Sequence, residues 1–265
     1  MNKARAKTSV TSLLLAAVAC MSSALPAQAL SLTVQNRDVA RAISLGGVCT
    51  GCELSGRDLS GANMAGASFR DSTFIGANLR GASMLGTNFT GSDFERADIR
   101  GANLAGSNFR GTDLTEARMT GVVAAGTSFT GSDLTDASLD NAELTGAVFT
   151  AADLTRTNLS GSRMVGVTLS GVDATRANFS NTEILASNLS GSDFSRADFT
   201  DARLDNSRLR HSDFSRTNFH NASLRRTDIR GTDLSDAHNL TQSQINQACG
   251  DRSTRLPRGL RVSTC

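Results

Sequence analysis

The chain has 265 residues, 39% of them hydrophobic, with 24 Gly, two Pro and neither Trp nor Tyr. Lys and Arg number 27 against 25 Asp and Glu, a balance that excludes both a generic basic nucleic-acid binder and a strongly acidic chain. The apolar share is too high, and the net charge too low, for a disordered chain, and the length allows one or two domains.

Residues 1–29 read as a secretory signal peptide. Lys3, Arg5 and Lys7 make a positive start, and the apolar run from Val10 to Ala19 is too short to span a membrane as a permanent anchor. Ala27-Gln28-Ala29, a small-x-small site after Pro26, places cleavage at Ala29/Leu30 and the mature chain in the periplasm or outside the cell. The alternative is lipoprotein processing at Cys20, although the preceding Ala17-Val18-Ala19 lacks a large aliphatic residue at the usual place. Cleavage leaves 24 Arg, no Lys and 25 acidic residues, a formal charge of −1. It also leaves Cys49, Cys52, Cys249 and Cys265, and an even count in an exported chain reads as disulfides.

Residues 30–51 form an expected N-terminal cap. Asn36 suits the helix N-cap, Val39, Ala42 and Ile43 make an apolar stripe, and Gly46 stops the helix.

Residues 52–236 repeat with a period of five. Of the 37 positions numbered 54, 59, 64 and so on to 234, 16 are Leu, 12 Phe, four Met, three Ile and two Ala, and every Phe of the protein lies on this phase. Two residues earlier the chain holds Ala, Ser, Thr, Val or Cys, with Arg57 as the exception. A period of five fits neither a helix nor a long strand. A coil that turns a corner at each pentad fits: one large and one small residue face inward, and Gly relieves the corners.

Residues 20 apart are more alike than residues five apart. Asp93, Asp113, Asp133, Asp153, Asp173, Asp193, Asp213 and Asp233 form one series at that spacing. Phe69, Phe89, Phe109, Phe129 and Phe149 form another, and Phe179, Phe199 and Phe219 a third. Glu143, Arg163, Glu183 and Arg203 alternate in sign, as stacked neighbours should. Four pentads per coil give about nine coils, each rising roughly 4.8 Å.

These units, such as Ala77-Asn78-Leu79-Arg80-Gly81 and Ala152-Asp153-Leu154-Thr155-Arg156, resemble the pentapeptide-repeat family. The resemblance implies an all-β solenoid, a right-handed quadrilateral β-helix with short helical caps at both ends. Ala124 and Ala174 depart from the large central residue, and each follows a larger inward Val, Val122 or Val172, which conserves volume. Cys49-Thr50-Gly51-Cys52 and the short C-terminal helix also look like the ends of exported members.

Residues 237–265 form the C-terminal cap. Thr241 and Gln244 fit a capping box, Leu240 and Ile245 a hydrophobic staple, and Gly250 follows the helix end. In a rod of this length the two cysteine pairs stand at opposite ends, so only Cys49–Cys52 and Cys249–Cys265 meet the short Cα separation that a disulfide needs.

Cys49/Cys52 could be a thiol-redox pair, but a thioredoxin-like site needs a βαβ setting. The Asp series could be a cation track, yet Arg96, Arg156, Arg176, Arg196 and Arg216 each follow a series Asp by three residues and would compensate it, and Asp commonly accepts turn hydrogen bonds. His211, His220 and His238 share no period and lack a catalytic partner pattern. The reading is a non-enzymatic exported scaffold, monomer or weak dimer, with an unknown protein partner and no cofactor, metal or nucleic acid. Membrane contact would require lipidation at Cys20 or the tail of Arg252, Arg255, Arg258 and Arg261. A second reading follows from the resemblance alone: some members mimic duplex DNA and protect gyrase, which a near-neutral charge and a signal peptide argue against.

Overall fold

The computed structural model describes residues 47–262 together with 264 and 265. The signal segment, Cys20, the Ala29/Leu30 site and the helix expected after Asn36 lie outside the described residues.

Each pentad consists of one bridging residue flanked by two inward residues, then a two-residue corner. The bridges are parallel and join residues 20 apart, from Val48↔Ser68 to Asn218↔His238, so four pentads make one coil. The ladder alternates direction along each side. Leu54 N–H donates to Thr73 C=O in the next coil at 2.8 Å, and Thr73 N–H donates back to Cys52 C=O at 2.8 Å. At the corner the chain closes on itself: Ala62 N–H reaches Leu59 C=O at 3.0 Å. The residue before the donor is left-handed, with φ of +65° at Gly61, a conformation Gly adopts without the steric cost that a Cβ brings.

The core is a filled axis. The central residues from Leu54 to Leu234 are all buried, and the small residues two earlier are buried beside them almost without exception. Phe109 stacks at 4.9 Å from Phe89 and 5.5 Å from Phe129, and Phe149 ends that column at 4.9 Å from Phe129. Phe179, Phe199 and Phe219 stack at 4.8 and 5.7 Å on the opposite side of the coil. A further side carries Phe74 over Phe94 at 4.4 Å and Phe194 over Phe214 at 4.8 Å. Neighbouring columns meet edge to face, as Phe74 and Phe89 do at 83°, an arrangement that aromatic quadrupoles favour.

Small size is not the only property of the second inward residue. Where it is Ser or Thr, its hydroxyl often reaches back 23 residues to a carbonyl of the adjacent coil: Thr87 to Met64 at 2.7 Å, Thr157 to Leu134 at 2.8 Å, Thr217 to Phe194 at 2.8 Å. Burial of a hydroxyl in an apolar axis is tolerated because it finds this acceptor.

At the C-terminal end a helix interrupts the square. α1 (Gln242–Ile245) starts at Thr241, whose hydroxyl accepts from Gln244 N–H while Thr241 N–H donates to Gln244 Oε1. Gln244 also donates to Phe219 C=O at 2.8 Å and Ala222 C=O at 2.9 Å, tying the helix to the final coils, and Ile245 is buried beneath it. The tail then rejoins the ladder with a longer register. Cys249 bridges Asp228 and Arg255 bridges Asp233, so the tail covers part of the last backbone edge as added strand. Gly250 has a packing role beyond following the helix, because a Cβ there would overlap the side chain of Val262.

Candidate interaction surface

The outward residues form columns along the rod, and each column has its own chemistry. The Asp series occupies one side. In every coil the Asp Oδ1 accepts the N–H two residues on: Asp93 from Glu95 at 2.9 Å, Asp113 from Thr115 at 2.9 Å, Asp133 from Thr135 at 2.8 Å and Asp153 from Thr155 at 2.8 Å. Asp173, Asp193, Asp213 and Asp233 do the same at 2.9, 2.7, 2.7 and 3.0 Å. The series is therefore built of turn acceptors, which explains why Asp recurs where the chain enters this corner.

The Arg residues three positions later make no ion pair with that series among the described residues, contrary to the sequence reading, and only Arg156 feels its Asp, Asp153, as a weaker Coulombic neighbour. Arg96 pairs with Glu95 and lies 3.9 Å from Glu116, and Arg156 pairs with Asp136 of the adjacent coil at 2.5 Å. Arg176, Arg196 and Arg216 make no ion pair among the described residues. Backbone N–H groups take up the carboxylates instead.

This corner is unusual in composition. Arg96, Glu116, Asp136, Arg156, Arg176, Arg196 and Arg216 hold it in successive coils with φ between 57° and 62°. The other three corners are Gly in most coils. A long side chain in this region costs about 1–2 kcal/mol relative to the right-handed alternative.

The opposite side carries the alternating column. Arg163 lies 3.5 Å from Glu143 and 3.6 Å from Glu183, and Arg203 lies 2.9 Å from Glu183. These pairs are solvent-exposed and contribute little each, but they remove the like-charge repulsion that stacking would impose. A more protected pair sits elsewhere. Asp98 is 7% exposed and bonded by Arg100 at 2.5 Å and Arg118 at 3.3 Å. The Arg100 hydrogen bond outweighs burial and holds the Asp98 carboxyl below the usual carboxylate range.

Cys49 pairs with Cys52, and Cys249 with Cys265, at Cα separations of 5.8 and 5.4 Å. His238 bridges Asn218 on a side of the rod, whereas His211 and His220 stand at corners. The columns keep the three in different places around the coil. Among the described residues no group of His, Cys, Asp and Glu is arranged to hold a metal, and no helix is long and apolar enough to cross a membrane.

These features define a β-helical solenoid whose surface is a set of regular polar columns. Pentapeptide repeats match in eight copies, from residues 48–86 to 197–236, and the chain belongs to the pentapeptide-repeat family. Its fold is the right-handed quadrilateral β-helix of that family. HetL of the cyanobacterium Nostoc sp. strain PCC 7120, a pentapeptide repeat protein involved in heterocyst differentiation regulation, is similar at 24% identity and a TM-score of 0.60. That likeness covers 84% of this chain and 95% of HetL. QnrB1, a plasmid-mediated fluoroquinolone resistance protein, aligns at 20% identity over 79% of this chain and 92% of its own, with a TM-score of 0.45. No match emerges among curated proteins.

Proposed function

We propose that the protein is an exported, non-enzymatic scaffold that presents the sides of a rigid rod to another molecule. The observation that supports this is the continuity of the ladder: 20-residue bridges run unbroken from Val48 to His238, so side-chain columns keep one spacing along the rod. Solenoids use such long, regular surfaces for binding, and pentapeptide-repeat proteins are in general structural repeat proteins. In this reading residues 1–29 direct export, residues 30–51 and 237–265 cap the two ends, and the two disulfides form in an oxidising compartment. Gyrase binding by duplex mimicry would call for an unbroken acidic surface, which the Arg corner and the Glu/Arg column interrupt.

Mass spectrometry of the mature protein tests the reading. The chain should begin at Leu30, and non-reducing peptide maps should link Cys49 to Cys52 and Cys249 to Cys265. A lipidated start at Cys20, or retention of residues 1–29 in the cytoplasm, would overturn it.

A further inference from the structure

We infer that the Arg corner, with the groove it runs into, is a binding track for a linear acidic polysaccharide. Arg156, Arg176, Arg196 and Arg216 follow one another at 20-residue spacing on one corner. Their backbone positions repeat along the rod at the coil rise of about 4.8 Å. All four are exposed, and only Arg156 is engaged by an acidic neighbour among the described residues. Arg216 also lines an open groove of about 740 Å³ at the C-terminal end, shared with Asp236, His238, Leu256, Pro257 and Arg258.

Three observations point to a ligand of this class. The first is conformational. A left-handed corner is filled most easily by Gly, which holds five of the twelve other corners in these same coils, so four successive Arg at one corner with no Gly among them indicate that the side chain is what the position supplies. The second is charge. Residues 47–146 carry seven Arg against 12 acidic residues, whereas residues 201–265 carry 11 Arg against seven, so the track leads an anion toward the basic end. The third is what flanks the track. On one side the Asp column repels an anionic chain. On the other side stand Asn158, Asn178, Asp198 and Asn218, where Asn178 and Asn218 already donate to Asn158 and Asp198, so the corner hydroxyls Thr155, Thr175, Ser195 and Ser215 are the groups that suit the hydroxyls of a sugar. Every Phe is buried and the chain has neither Trp nor Tyr, so a nucleic acid would find no such ring on which to stack its bases.

The inference depends on the export reading only for where the polymer is met; binding in solution is independent of it, and the start of the mature chain is determined separately. Fluorescence anisotropy of the mature chain with fluorescein-labelled heparin fragments tests it. Wild type should bind saturably and more weakly as salt rises, and the triple variant Arg176→Gly/Arg196→Gly/Arg216→Gly should lose about tenfold or more while its salt slope falls by about two to three. Because Gly suits these corners, that variant should melt at or above the wild-type temperature, and the Gln triple provides a second measurement. A charge-matched control, Arg80→Gln/Arg110→Gln/Arg226→Gln, should change affinity by less than about threefold, and a labelled oligo-dT of equal charge should bind more weakly than heparin. Absence of saturable heparin binding, equal loss in the control, or tighter binding of the oligo-dT would each overturn the proposal.

Discussion

Replacing Phe109 by Ala measures how the core holds the rod together. The ring is fully buried, 4.9 Å from Phe89 in one adjacent coil, 5.5 Å from Phe129 in the other and 5.4 Å from Phe94 in the neighbouring column. Burial of the side chain and the cavity it would leave put the cost at about 3–5 kcal/mol. The upper half of that range applies for two reasons. Collapse of the cavity is opposed by the ladder, since Phe109 N–H bonds Ser128 C=O at 2.7 Å and Asn108 N–H bonds Thr87 C=O at 2.9 Å, which keeps both neighbouring coils at sheet spacing. Contacts with three other rings are lost as well, each worth about 0.5–1.5 kcal/mol beyond area burial, some of which overlaps the first figure. Phe109→Leu makes the comparison informative. Leu169, Leu189 and Leu209 occupy the same column further along, so that swap keeps most of the buried volume, loses the ring contacts, and should cost clearly less than the Ala change. Urea unfolding followed by circular dichroism reads both midpoints. A loss below about 1 kcal/mol for Phe109→Ala, or equal losses for Ala and Leu, would refute the stacked, non-collapsing axis.

Three further outcomes follow from the same geometry. Asp153→Asn keeps an acceptor for Thr155 N–H and should be near neutral in thermal melts, whereas Asp153→Ala should cost about 1 kcal/mol; calcium should leave the wild-type melting temperature unchanged, and a saturable shift abolished by Asp153→Asn would restore the cation-track reading. Gly250→Ala should destabilise the C-terminal end by about 1–3 kcal/mol through overpacking against Val262, seen as faster amide exchange across the tail before global unfolding. Asp98 has a folded pKa below its unfolded value, chiefly through the Arg100 hydrogen bond, so its contribution is present above about pH 4 and is lost as pH falls through the lower folded value; Asp98→Asn should flatten the acid limb of stability measured by urea titrations at successive pH.

The periodicities were readable without coordinates, for a physical reason. A period of five assigns each residue to the axis or the surface, and likeness at 20 assigns each residue its neighbours above and below. The Phe69–Phe149 column, the sign alternation from Glu143 to Arg203 and the Thr241/Gln244 capping box all follow from sequence spacing, because each depends on which residues adjoin and not on fine geometry.

What required the tertiary structure was the direction of side chains at the corners and the course of the tail. Arg156 is three residues from Asp153, yet the left-handed backbone turns it along the rod to Asp136 of the adjacent coil. The buried hydroxyl of Thr157 reads in the sequence as small, and only the stacked coil supplies the Leu134 carbonyl that makes it a donor. Cys249 and Arg255 carry no repeat signal, and they continue the ladder because α1 displaces the chain until the last coil's open edge lies beside it. Spacing along a chain determines which residues share a column; the angle at which each leaves the backbone, and the edges left free to pair, exist only once the coils are stacked.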